Sequence, residues 1–194
     1  DTLESRGLGD VYKRQVTPDS ALNFGVLLSG GSVMVMGLAV NWLAASLLAF
    51  TIAFYILIYT IWLKRSTPQN IVIGGAAGAL PPVIGWAAIS GNVALEPLIL
   101  FAVIFIWTPP HFWALALYRS DDYEAAGVPM LPNTHGPKET RKQILAYSII
   151  LFVTSLMPYI VGMAALPYVI ITLIMGVLFL VLAWRVFKYG LVKY

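Results

Sequence analysis

Three carboxylates, Asp121, Asp122 and Glu124, fall within one turn of chain after Arg119 and Ser120. Carboxylates at that density suit Mg²⁺, which binds through one or two of them plus substrate phosphates. Acidic residues in a first helical turn also complement the helix dipole, so the pattern has two readings. Residues 120–126 read as a short helix, with Ser120 as its N-cap and Gly127 as its end. A second group is Lys64-Arg65-Ser66-Thr67-Pro68-Gln69-Asn70. Thr67 suits an N-cap and Pro68 a first helical position. The free N–H groups of that helix start, beside Lys64 and Arg65, could hold a phosphate or diphosphate. The competing reading, stronger on position alone, is that Lys64 and Arg65 set topology and snorkel to lipid headgroups.

A third candidate is His111, in W-T-P-P-H-F-W. The spacing places it roughly 12 Å below Arg119 along a helix. Pro109 and Pro110 are expected to break that helix and free carbonyls. An ionisable group at such depth is a functional candidate: a haem-iron ligand, a proton carrier or a hydrogen-bond donor. The alternative is a neutral imidazole satisfied by the freed carbonyls. His135, in a polar segment, reads as solvated. Gly74 and Gly78 form a G-x-x-x-G, and Gly75 with Ala79 repeats the spacing, which reads as a close helix-packing face. Pro81-Pro82 should kink the same span. Trp86, Trp107, Phe112, Trp113 and Tyr118 could line an apolar pocket whose aromatic faces stabilise a cation, or pack in the core and at the interface. No Ser-His-Asp pattern, P-loop or H-E-x-x-H is present.

These residues need elements to hold them, and the composition says which. Of 194 residues, 59% are hydrophobic and 11% charged, against about 45–50% and about 25% in soluble domains. Mean hydropathy is +0.82. This excludes disorder, a nucleic-acid module and a soluble enzyme, and points to an integral membrane protein. There is no cysteine, hence no disulfide, Cys-ligated zinc, iron–sulfur cluster or Cys-x-x-Cys-His haem attachment. Charge-free runs accommodate six apolar helices: 21–40, 42–63, 70–89, 97–118, 143–163 and 167–184. Unsatisfied backbone in lipid forces helices, and the runs lack the alternation of barrel strands. With six spans, all twelve Lys and Arg residues fall on one side, which the positive-inside rule makes cytoplasmic. The fold class is therefore an all-α polytopic transmembrane bundle. Residues 119–142 form a long connection on that side, of a length that is functional or disordered. Residues 1–20 read as a polar leader without a signal-peptide core, and 21–194 as one membrane domain.

Two stretches carry a resemblance: Y-T-I-W-L-K-R-S-T-P-Q-N-I-V-I-G-G-A-A-G-A-L-P-P-V-I-G-W and W-T-P-P-H-F-W-A-L-A-L-Y-R-S-D-D-Y-E-A-A-G-V-P-M-L-P. They closely resemble the protohaem IX farnesyltransferase family of the UbiA superfamily of intramembrane prenyltransferases, and the likeness covers about 16–194. It implies a nine-helix-type bundle whose site opens to the cytoplasmic or matrix face. Farnesyl diphosphate would be held through Mg²⁺ by two acidic motifs, and its farnesyl group joined to a vinyl group of haem B. Water adds and haem O results, for terminal oxidases directly or after conversion to haem A. Haem A synthase and terminal-oxidase assembly are thus expected partners, with the bilayer of the bacterial inner membrane as the setting. The resemblance assigns Asp121-Asp122-Tyr123 to the second acidic motif, with Asp121 and Asp122 as Mg²⁺ ligands. It assigns Lys64, Arg65 and Arg119 to the diphosphate and His111 to the haem.

One departure bears on activity. The family's first motif, N-x-x-x-D-x-x-x-D, precedes the span at 21–40. V-T-P-D-S-A-L matches the end of that loop, whereas residues 1–15 do not match it and Asp10 stands alone. The expectation is an interior fragment with an unrelated leader. It would lack two upstream helices, the last helix and half the Mg²⁺ site, and be inactive as it stands. The competing functions are a UbiA-type enzyme with another acceptor, a transporter, and a non-catalytic oxidase subunit. The transporter reading is disfavoured because the polar residues gather at one surface. The oxidase-subunit reading is disfavoured because His111 has no second histidine in a span.

Overall fold

A computed structural model describes residues 17–190. The leader 1–15, with Arg6, Asp10, Lys13 and Arg14, lies outside the described residues, as does Lys193. The first helix, α1 (Pro18–Ala39), starts three residues before the expected span. Thr17 Oγ1 accepts the Ser20 N–H at 3.2 Å and Pro18 occupies the first turn. Asn41 caps α2 (Trp42–Ala53), its Oδ1 accepting from the Ala44 N–H at 2.8 Å. Its amide nitrogen donates to the carbonyls of Ala87 and Ala88, at 2.9 and 3.1 Å. One side chain thus closes the α1–α2 corner and ties it to α4. From Phe54 to Leu63 the second span continues as a π-helix, a winding that occurs mostly at functional sites.

The third span is two helices, α3 (Asn70–Ala79) and α4 (Pro81–Ser90). The break falls before Pro81-Pro82, as two missing N–H groups dictate. The fourth span, α5 (Leu95–Tyr118), runs unbroken through Pro109 and Pro110, which corrects the expected break. Both prolines and Thr108 are buried, and the Thr108 hydroxyl donates to the Ile104 carbonyl at 2.8 Å. Neighbouring helices and Ser/Thr side chains are what make proline tolerable within a membrane helix.

After the short α6 (Ser120–Ala125) comes α7 (Leu131–Ser155), bent at Gly136, where φ is 82°. The connection expected over 119–142 is therefore mostly helical, and the helix that carries the fifth span begins twelve residues before it, at Leu131. Leu131 and Pro132 are buried at that start. A one-turn α8 (Met157–Ile160) leads to α9 (Leu166–Tyr189). Six segments are long and apolar enough to cross a membrane, and no strand occurs among the described residues. Helix α5 is the hub: it packs on α7, α3 and α4, with α9 on α7 and α1 on α2. Large apolar side chains lie bare on the outside, such as Leu27 at 73% and Ile89 at 93% exposure. Such patches suit lipid.

Candidate active site

The connections 64–69 and 119–130 follow even-numbered spans and so share one end of the bundle. In the first, the Lys64 N–H closes the π-helix on the Tyr59 carbonyl at 2.8 Å. The Asn70 amide donates to the Lys64 carbonyl at 3.2 Å, and Asn70 itself is 1% exposed. Thr67 is not the helix cap. Its hydroxyl accepts the Gln69 N–H at 3.2 Å inside a preceding turn, and α3 begins only at Asn70. Lys64 and Arg65 are exposed. Among the described residues neither lies within 4.0 Å of a carboxylate.

In the second connection, Arg119 Nη1 lies 4.0 Å from Asp122 Oδ2, and both side chains are more than half exposed. Such a pair adds little stability, which leaves both charges available to a ligand. Ser120 is the first residue of α6 and not its cap; its hydroxyl donates to Asp121 Oδ1 at 3.2 Å. The turn is anchored by Tyr123, which packs on the buried cluster Ile71, Ala116 and Met130. Ile71 adjoins Asn70, so the acidic turn and the Lys64 backbone are tied to the same first turn of α3.

The three carboxylates do not act as one group. Glu124 lines a different cavity, beside α7. Among the described residues no three His, Asp or Glu side chains gather as a metal cage. Asp121 and Asp122 alone fit Mg²⁺ only in the mode where one or two carboxylates share the ion with substrate phosphates.

Below this rim a cavity of about 360 Å³ lies between the π-helix, α3 and α5. Tyr55, Tyr59, Gly74, Gly78, Trp107 and Phe112 line it. The tyrosine rings are 5.2 Å apart. A Cβ on Gly74 would meet the Tyr59 ring, 2.6 Å from Cε2, so that glycine is what admits the ring. Gly75 abuts Thr108, where a Cβ would come within 2.9 Å of Cγ2. Gly78 has nothing within 4 Å of such a Cβ. The expected packing face therefore holds for Gly74 and Gly75, while Gly78 opens the cavity.

His111 is exposed on α5. Its ring stacks on Trp107 at 4.3 Å and 18°, and meets Phe112 edge-on at 5.2 Å. Pro109 and Pro110 still lack the N–H groups that would bond the carbonyls four residues earlier, but among the described residues the imidazole makes no hydrogen bond to them. His135 is exposed, with Nδ1 2.9 Å from the Thr134 hydroxyl. Of the other aromatics, Tyr118 lines the cavity beside α7. Trp113 is core, edge-on to Tyr147 at 5.4 Å, and Trp86 bonds Asn92 Oδ1 at 3.2 Å at the far end. Sequence reasoning missed Tyr55, Tyr59 and Asn70. The Y-x-x-x-Y spacing, which puts both rings on one helix face, was the signal available.

A model described as the UbiA prenyltransferase family matches residues 11–190. Protoheme IX farnesyltransferase 1 of Mesorhizobium japonicum is 61% identical over 172 residues, 89% of this chain and 55% of that protein. A protoheme IX farnesyltransferase of Rhodopseudomonas palustris is 60% identical over 179 residues, 92% and 57% of the two chains. One of Bradyrhizobium diazoefficiens is 58% identical over 177 residues, 91% and 56%. The chain spans about half the length of the curated relatives it matches. No solved structure matches it.

Proposed function

The chain belongs to the UbiA prenyltransferase family, and on that premise we propose that its protein transfers a farnesyl group from farnesyl diphosphate to a vinyl group of haem B, giving haem O. The observation that carries this reading is vertical order. Exposed cations and a carboxylate turn stand at the rim, directly above an aromatic-lined apolar cavity.

Lys64, Arg65 and Arg119 meet the diphosphate, and Asp121 and Asp122 would hold Mg²⁺, which would supply charge neutralisation for the leaving group. Tyr123 fixes the turn. The farnesyl chain descends past Tyr55 and Tyr59, whose ring faces stabilise the allylic cation as the C1–O bond breaks and its electron pair leaves with the diphosphate. The vinyl π-electrons form the new bond to C1. The cation left on the haem side takes the oxygen of water, which loses a proton, and the hydroxyl of haem O remains. His111 faces the haem. The basic rim is cytoplasmic by the positive-inside rule, in a bacterial inner membrane. The product then goes to haem A synthase or terminal-oxidase assembly.

The test is haem extraction from cells expressing the protein from its complete gene. Mass analysis should find the farnesylated, hydrated haem. Its absence with the protein present in the membrane overturns the reading, and prenylation of another acceptor replaces haem with that acceptor.

A further inference from the structure

Two more cavities lie between α5, α7 and α9, across α5 from the farnesyl cavity. The deeper one, about 400 Å³, is apolar, with Trp107, Phe152, Met175 and Phe179 in its wall. Trp107 also lines the farnesyl cavity. The upper one, about 470 Å³, lies at the basic end and has a mixed lining that includes Tyr118, Asn133, Arg141 and Glu124. Trp107, His111 and Tyr118 are spaced i, i+4 and i+11 on one face of α5. Tyr118 thus stands roughly 16 Å above Trp107, with the exposed His111 at an intermediate height on the helix.

Arg141 is built into the upper mouth. It is partly buried, and its Nε donates to the Pro137 carbonyl at 3.2 Å. Its Nη1 lies 3.0 Å from where a Cβ on Gly190 would stand; Gly190 has φ of 81°. Among the described residues no carboxylate, Glu124 included, comes within 4.0 Å of it. The remaining guanidinium donors are preorganised and free to bind a carboxylate in a fork. The combination of an apolar cavity, a His111 ring stacked on Trp107 in its wall and one oriented guanidinium at the water-facing end suits an apolar ring system bearing carboxylates on one edge.

We infer that Arg141 binds a propionate carboxylate of the haem acceptor, whose macrocycle lies along the Trp107–His111 face of α5. This rests on the function proposed above. The test compares haem B with its propionate dimethyl ester, in membranes holding the protein expressed from its complete gene. Arg141→Gln should raise KM for haem B about tenfold while KM for farnesyl diphosphate and for the dimethyl ester stays within about twofold. Arg141→Lys should recover part of the loss. A general packing defect would move all three constants together, and that result, or no change at all, overturns the inference. Absorbance titration of haem B and the ester, read as dissociation constants, repeats the comparison without turnover. If the wild type forms no farnesylated haem, the proposed function fails, and the titration still decides whether Arg141 selects the free acid. Should Arg141→Gln fail to insert, Arg141→Lys must lose discrimination between acid and ester, and unchanged discrimination overturns the inference.

Discussion

The Asn70 amide donates to the backbone carbonyl of Lys64 at 3.2 Å, while Asn70 Oδ1 is buried with no partner among the described residues. A neutral hydrogen bond is worth about 0.5–1.5 kcal/mol, and here it holds the one strand of backbone that aims two cations. Asn70→Ala removes the bond and the orphaned oxygen together. The expected result is a near-unchanged melting temperature with KM for farnesyl diphosphate raised about two- to tenfold. A large drop in melting temperature with unchanged KM would assign Asn70 to stability instead.

Asp122 pairs with Arg119 only at 4.0 Å and in the open, so the pair contributes about 0–1 kcal/mol to folding. Asp122→Asn should therefore insert and melt like the wild type, yet lose turnover by at least about a hundredfold. Full activity would remove Asp122 from the site.

Lys64→Ala should weaken farnesyl diphosphate binding about tenfold or more, since a charged hydrogen bond is worth about 1.5–3 kcal/mol. The deficit should shrink at high salt, because added ions screen the exposed lysine in the wild type. Equal affinities for the two proteins would return Lys64 to setting topology.

Gly75 and Gly78 share a helix and should behave oppositely. A Cβ at Gly75 meets Thr108 at 2.9 Å, so Gly75→Val should destabilise by about 1–3 kcal/mol. Gly78 faces open space, so Gly78→Leu should keep the melting temperature and shorten the cavity. Competition between geranyl and farnesyl diphosphates reads this as a shift toward the shorter donor. An unchanged donor preference would place the isoprenoid elsewhere.

Chelation should stop turnover and added Mg²⁺ restore it. Asp121→Asn should raise the Mg²⁺ concentration needed for half-maximal rate. Activity that persists in excess chelator would leave diphosphate departure to Lys64, Arg65 and Arg119 alone.

The six spans were legible in the chain, because a charge-free run of about twenty residues has one stable answer in lipid: a helix that bonds its own backbone. The gathering of Lys64, Arg65, Arg119 and Asp122 at one end followed from counting those spans. The break at Pro81-Pro82 was equally local, since two adjacent N–H groups are missing. Pro109-Pro110 has the same local chemistry and a different outcome. There Gly75, thirty-three residues before Thr108, lets α3 close on the residue before the prolines, and both prolines are buried.

What the amino-acid order alone decided was solvent, element type and sidedness, all set by transfer free energies that act residue by residue. Only the folded molecule decided which faces meet. It turned the second half of the second span into a π-helix, and turned Glu124 to a different cavity from the one below the rim. It also brought Arg141 into one cavity lining with Tyr118, Asn133 and Glu124. These depend on contacts between helices, whose energies are short-ranged and depend on shape, so no periodicity along the chain encodes them.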